Sequence, residues 1–176
     1  MRIEWVERAS GLKDDAIERG LFQPSQPTLP PQLTLVPSPV FSLEIQAHFS
    51  AAHAITMAGV VEPLHGHDWH VTATIEGPDL DLDGLLVDFH WLQQTLASII
   101  GPFQNQNLNA VEPFKSGLNP TAEHVARHIG QSLSDRLATW SQNQPKDQAK
   151  RFFPPRVARV RVTEAVGCAA SYVPVR

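Results

Sequence analysis

The chain has a single cysteine and no strong excess of charge of either sign. Cys168 is the only cysteine in 176 residues, which excludes a disulfide within the chain and a cysteine-rich metal site. Any metal ion must therefore be held by histidine or carboxylate. The 14 basic and 18 acidic residues give a formal net charge of -4, and the basic residues form no extended stripe. We therefore expect no nucleic-acid partner.

Long apolar runs are also absent. No segment approaches the roughly 18 apolar residues that span a bilayer, and the segment from Met1 to Arg8 is charged and lacks the apolar core of a signal peptide. We expect a cytoplasmic protein with no membrane partner. With 42% hydrophobic residues in 176, the chain can form one globular domain with a real core.

Prolines concentrate near the start of the chain. Six of them lie between residues 24 and 39, namely Pro24, Pro27, Pro30, Pro31, Pro37 and Pro39. Because proline fixes φ and lacks an N–H, this tract is predicted to be extended. We therefore divide the chain into a proline-rich N-terminal extension over residues 1–40 and a folded domain over residues 41–176.

Alternating apolar and polar residues predict strands at both ends of this domain. The alternation covers residues 41–46, residues 69–76 and residues 159–164, and the tail beyond them completes a second pair. Between the two pairs, Asp88 and Thr121 are suitable N-caps for two amphipathic helices. The element order is ββααββ, which predicts an α+β fold.

Three histidines are candidates for a shared metal ion. His65 and His67 stand at i and i+2, a spacing that puts both imidazoles on one face of a strand. His53 ends the strand expected to pair with theirs. Three histidines with an open fourth position are typical of catalytic zinc, whereas two surface histidines would explain the pair equally well.

Several short motifs then occur in an order that resembles the family of 6-pyruvoyltetrahydropterin and 6-carboxytetrahydropterin synthases. They are Phe49–His53, Leu64–His67, Val87–Phe89, Leu108–Asn109, Asn119–Glu123 and Thr163–Glu164. The resemblance implies Zn²⁺ bound by His53, His65 and His67. It also implies a T-fold, with two helices on one face of a four-stranded antiparallel sheet, in an oligomeric barrel that is usually a hexamer built as a dimer of trimers.

The same resemblance suggests two substrate-binding residues. Glu164 is in phase with Val160 and Val162, so its carboxylate needs a partner on a buried strand face. The family resemblance makes that partner the N–H and amino groups of a pterin ring, while a buried arginine is the alternative. Thr121 resembles a family threonine beside the ring, although an N-cap without ligand contact would also explain it.

The chain departs from the family at its proton-transfer residues. Val61 stands where the family has a cysteine, and Gln104 and Asn105 replace an Asp-His pair. Neither amide titrates near neutral pH. Cys168 lies elsewhere and is expected to be a small buried hydrophobe.

Glu62, one residue from the cysteine position, is the candidate catalytic base. Some relatives replace the cysteine by glutamate and cleave the side chain of 7,8-dihydroneopterin triphosphate. An exposed loop glutamate beside Pro63, with no catalytic role, is the alternative.

Two functions follow from these residues. The first is a zinc-dependent lyase on a dihydropterin, either synthase-like or cleaving the side chain with Glu62. The second is a non-catalytic paralogue that binds a pterin- or purine-like ring and keeps the zinc site.

Overall fold

The structure is a computed structural model that describes residues 40–144 and 153–175. Apart from residue 40, the predicted proline-rich extension lies outside the described residues. It stays a prediction.

The order of the long elements confirms the ββααββ pattern. The four long strands are β1 (Phe41–His53), β4 (His65–Gly77), β6 (Arg156–Ala165) and β7 (Cys168–Tyr172). Three strands of two residues accompany them, namely β2 (Thr56–Met57), β3 (Val60–Val61) and β5 (Gln106–Asn107). The helices are α1 (Phe89–Ile100) and α2 (Ala122–Gln142).

The main sheet has five strands in the order β5-β1-β4-β6-β7, so the prediction of a purely antiparallel four-stranded sheet was wrong. The four long strands are antiparallel to their neighbours, but β5 pairs parallel to β1, with Ala51 opposite Gln106. The loop after α1 returns along the free edge of β1 and satisfies backbone groups there. A two-residue strand has no period that a sequence can display.

The alternation predicted for the strands is confirmed by burial. Trp69, Val71, Ala73 and Ile75 are all at most 1% exposed, whereas the residues between them reach solvent. Both helices pack on this apolar face, α1 against β1 and α2 against β6 and β7. The core therefore lies between the helices and one face of the sheet.

Both predicted N-caps are also confirmed. The Asp88 side chain accepts a hydrogen bond from the backbone N–H of His90, and Thr121 accepts one from His124 at 3.4 Å. Within the described part of the chain, neither helix is long and apolar enough to cross a membrane.

Cys168 is exposed, so the prediction that it packs in the interior was wrong. It directly follows the exposed turn at Val166 and Gly167 and lies two residues before Ala170, the buried position on the same side of β7. The first residue of the strand, next to this turn, is therefore uncovered although Ala170 is covered. A small apolar residue type does not reveal where that cover stops.

Candidate metal centre

The paired ends of β1 and β4 bring three histidines together. His53 is directly opposite His65 in the register, and His67 is opposite Ala51. All three follow the alternation that also buries Trp69, so their imidazoles lie on the same face of the sheet. One ligand atom from each histidine and one from Glu164 lie within 4.8 Å of one another, and no other such group occurs among the described residues.

Backbone carbonyls orient two of the rings. The Nδ1 atom of His53 lies 2.8 Å from the carbonyl oxygen of Pro120, and Nδ1 of His65 lies 2.9 Å from that of Pro63. A carbonyl only accepts, so each Nδ1 carries the proton and Nε2 of the neutral ring is left with a lone pair. Hydrogen bonds of this kind commonly orient histidine ligands of metal ions.

The Nε2 atoms of His53 and His67 face a common point, where the nearest polar atom is Oε1 of Glu164, which is itself an acceptor. Nε2 of His53 and Nε2 of His67 are buried and have no hydrogen-bond partner. Two buried ring nitrogens without a hydrogen bond are costly, and a metal ion would satisfy both. The donor set therefore fits a metal ion.

The pKa of His67 also favours metal binding. Burial lowers this pKa below its ordinary value, and the neighbouring His53 and His65 lower it further against the opposing effect of Glu164. A lowered pKa keeps the ring neutral, which is the form that binds metal.

Glu164 belongs to this cluster, and its close partners among the described residues are histidines rather than the arginine considered as an alternative. One carboxylate oxygen, Oε1, lies 2.8 Å from Nε2 of His53 and 3.4 Å from Nε2 of His67. Thr163 pairs with His70, so the next residue of β6 lies beside the histidine end of β4. The carboxylate keeps 23% of its surface exposed and remains accessible to a ligand.

Glu62 lies at the rim of the same centre. Its Oε1 accepts a hydrogen bond from the backbone N–H of Ile55 at 3.0 Å and lies 3.7 Å from Nδ1 of His65. The side chain is 22% exposed, so it is not the freely solvated loop residue of the alternative interpretation.

The remaining histidines do not join the centre. His70 is exposed on the other face of β4, as its phase predicts, and His90 is exposed on α1. His124 donates from Nδ1 to the carbonyl oxygen of Asn119, while His128 packs against the rings of Phe103 and Phe114.

The residues at the altered family positions also have defined places. Val61 is 65% exposed on β3. The backbone N–H of Asn105 donates to the carbonyl oxygen of Ser50, and both Asn105 and His67 line an open cleft of about 470 Å³. Asn105 therefore lies near the histidine cluster, and neither Asn105 nor Gln104 offers a titratable group.

Sequence reasoning missed the residues that support the ligands. The Pro120 carbonyl behind His53 is one of them, and the side chains of Asn109 and Asn119 are two more, each bonded to the loop that follows His53. The only sequence signal for these residues is that they lie in the motifs by which the chain resembles the family. A motif does not show which atom of a residue is used, so the sequence could not reveal these contacts.

Comparison with known proteins agrees with this geometry. The family model of 6-pyruvoyl tetrahydropterin synthase matches residues 42–174. The chain belongs to the 6-pyruvoyl tetrahydropterin synthase family. At the level of the family, its function is tetrahydropterin-synthase-like. A curated relative, the 6-carboxy-5,6,7,8-tetrahydropterin synthase of Bacillus subtilis, is 35% identical over 104 residues, which cover 56% of this chain and 69% of the relative.

Solved structures of the family have the same fold. The 6-pyruvoyl tetrahydropterin synthase of Caenorhabditis elegans aligns with a TM-score of 0.60 at 17% identity and covers 78% of this chain and 97% of its own. The 6-pyruvoyltetrahydropterin synthase of Plasmodium vivax aligns with a TM-score of 0.57 at 16% identity, and the alignment covers 76% of this chain and 97% of that one. It was solved as a catalytic-residue mutant in which a glutamate is changed to alanine. The fold of this member is accordingly a T-fold with a mixed five-stranded sheet.

Proposed function

We propose that this chain is a zinc-dependent lyase that acts on a dihydropterin such as 7,8-dihydroneopterin triphosphate. One observation carries the proposal. The imidazoles of His53, His65 and His67 converge beside the carboxylates of Glu62 and Glu164. The Nε2 atoms of two of these rings are buried and have no hydrogen bond.

His53, His65 and His67 would hold the zinc ion, since imidazole nitrogen suits zinc and the centre is accessible from the side of His65, which is 41% exposed. When bound, zinc supplies Lewis acidity to an oxygen of the substrate. The hydrogen bonds to Pro120 and Pro63 keep two of the rings in the tautomer that offers Nε2.

Glu62 is the proposed base. It takes the proton of a side-chain hydroxyl, the adjacent carbon–carbon bond breaks, and the hydroxyl carbon leaves as the carbonyl of the released fragment. The electron pair of the broken bond passes into the ring C=N and is then protonated. A glutamate is a catalytic residue in the Plasmodium vivax relative, which supports the assignment. Its carboxylate lies 3.7 Å from Nδ1 of His65, which supports a role beside a substrate bound at this centre.

Glu164 is the proposed ring anchor. A single carboxylate can accept from both the N–H and the amino group of a pterin ring, and this one lies at the edge of the histidine cluster with part of its surface accessible. Thr121, at the start of α2, is proposed to contact the same ring, in addition to capping the helix.

The competing function is a binding protein without turnover. It is favoured by Val61, Gln104 and Asn105, because none of these side chains can replace a thiol or an imidazole in proton transfer. In that case the chain would hold a pterin- or purine-like ring at Glu164 and keep the metal ion.

We also propose a homo-oligomer, most simply a hexamer built as a dimer of trimers. The edge strand β7 has no neighbour beyond it among the described residues, and the polar face of the sheet carries no helix. Closure into a barrel with other copies would pair such an edge.

Incubation of the zinc-loaded protein with 7,8-dihydroneopterin triphosphate tests the function. A pterin with a shortened side chain is the product expected from cleavage, whereas loss of triphosphate would indicate synthase-like elimination. Binding of the substrate without any product would reject the lyase in favour of the binding protein.

A further inference from the structure

Three consecutive residues join the metal ligand His53 to the Glu62 hairpin. Ala54, Ile55 and Thr56 follow His53 directly, and the chain then turns through β2 and β3 to reach Glu62. We call residues 54–56 the bridge. Its backbone is held by two side chains from distant parts of the sequence, Asn109 and Asn119, and by the nearby side chain of Glu62.

Asn109 holds the first residue of the bridge by both of its amide groups. Its Oδ1 accepts from the backbone N–H of Ala54 at 2.9 Å, and its Nδ2 donates to the carbonyl oxygen of Ala54 at 2.8 Å. A side-chain amide that bonds both groups of one residue reproduces the pairing of a neighbouring strand.

Asn119 makes the same arrangement two residues later. Its Oδ1 accepts from the N–H of Thr56 at 3.0 Å, and its Nδ2 donates to the carbonyl oxygen of Thr56 at 2.9 Å. The next residue, Pro120, accepts from Nδ1 of His53. One short segment before α2 therefore holds both a metal ligand and the bridge.

Ile55, between the two clamped residues, is bonded reciprocally to Glu62. The N–H of Ile55 donates to Oε1 of Glu62, and the N–H of Glu62 donates to the carbonyl oxygen of Ile55 at 3.1 Å. The position of the Glu62 carboxylate is thus tied to the backbone of Ile55. A shift of the bridge moves the carboxylate relative to His65.

We propose that Asn109 and Asn119 are positioning residues that clamp the bridge and thereby hold the Glu62 carboxylate beside the histidine centre. The assignment of Glu62 as the base rests on the proposed function, but the clamp itself does not. Neither asparagine touches the reacting atoms in this arrangement, because both act through the backbone of the bridge.

Amide hydrogen exchange tests the clamp without any turnover. In Asn109→Ala the exchange of the Ala54 amide should accelerate roughly 5- to 10-fold, and in Asn119→Ala that of Thr56 should do so, since each amide loses its acceptor. Zinc content and melting temperature of each variant establish that it is folded. Asn143→Ala, an exposed asparagine at the far end of α2, is the matched control and should leave exchange in the bridge unchanged.

A double-mutant cycle tests the positioning role. Asn119→Ala should lower kcat about 10-fold with KM changed less than twofold, and it should have no further effect on kcat in a Glu62→Gln background. A merely structural asparagine would lower kcat by the same factor in both backgrounds. If Asn119→Ala does not fold, Asn109→Ala takes its place in the cycle.

Two outcomes would overturn the proposal. One is unchanged exchange of the bridge amides in both asparagine variants, and the other is an equal loss of kcat with and without the Glu62 carboxylate. If the wild-type protein turns over no dihydropterin, the proposed function fails and exchange alone decides the clamp. If the wild-type protein is active but the bridge amides of both asparagine variants exchange at the wild-type rate, the clamp is rejected and the proposed function stands.

Discussion

Oε1 of Glu164 lies 2.8 Å from Nε2 of His53, a buried nitrogen to which no described group donates a hydrogen bond. The carboxylate on β6 and the imidazole at the end of β1 therefore share the position where a metal ion would bind. Glu164 can serve in two ways, as a fourth metal ligand or as the anchor of a pterin ring. The proposed function takes the second, and the two roles predict different behaviour.

Glu164→Gln should lower pterin affinity by about 1.5 to 3 kcal/mol, because the new amide presents an N–H₂ where the ring needs an acceptor. Zinc content should stay at the wild-type level. Calorimetric titration with a reduced pterin, together with metal analysis, measures both quantities. If the variant loses zinc while its remaining metal-bound fraction binds the pterin with unchanged affinity, Glu164 is a metal ligand and the proposed role as ring anchor is wrong.

We expect about one zinc per subunit, and His65→Ala combined with His67→Ala should abolish it, since one histidine cannot hold the ion alone. Metal analysis after dialysis is the measurement. His70→Ala is the matched control, because this histidine lies on the same strand but on the other face. Stoichiometric zinc in the double variant would contradict the assignment.

Glu62→Gln should reduce kcat by about 100- to 10,000-fold, the usual contribution of a general base. KM should change little, because the amide keeps the size of the side chain and can still accept from the N–H of Ile55. Steady-state kinetics on the zinc-loaded protein provide the comparison. Wild-type kcat in this variant would exclude Glu62 as the base.

The oligomeric state should exceed a monomer, most simply six copies, because the β7 edge and the uncovered sheet face need partners. Light scattering at micromolar concentration gives the mass directly. A monomer under these conditions would count against a closed barrel.

His128 should contribute to acid sensitivity. Burial lowers its pKa in the folded chain, so below about pH 6.5 the unfolded chain binds more protons and the free energy of unfolding falls. His128→Phe keeps a ring against Phe103 and Phe114 and should lose less stability than wild type between pH 7.5 and 5.5. Denaturant melts at both pH values measure the difference, with the exposed His90→Ala as control. Equal losses in wild type and His128→Phe would show that this burial has no effect on acid stability.

The parts of the fold that the sequence predicted well are those governed by local periodicity and capping. Trp69 to Ile75 alternate because one face of β4 is buried, and Asp88 and Thr121 begin helices because their oxygens accept from free N–H groups of the first turn. The short strand β5 and the β2–β3 hairpin were missed because two residues carry no period. Their pairing depends on which edge the loop meets after the sheet has formed.

The sequence alone determined the donor set. With one cysteine, a metal centre in this chain has to use imidazole and carboxylate, and the spacing of His65 and His67 puts both on one strand face. Only the tertiary structure decided that Glu164 meets His53 and that Asn109 and Asn119 clamp the loop between His53 and Glu62. These contacts join residues far apart along the chain through the register of β6 on β4 and the path of the loops before α2. A register is set by packing over whole strands, so no local pattern around these residues could have specified it.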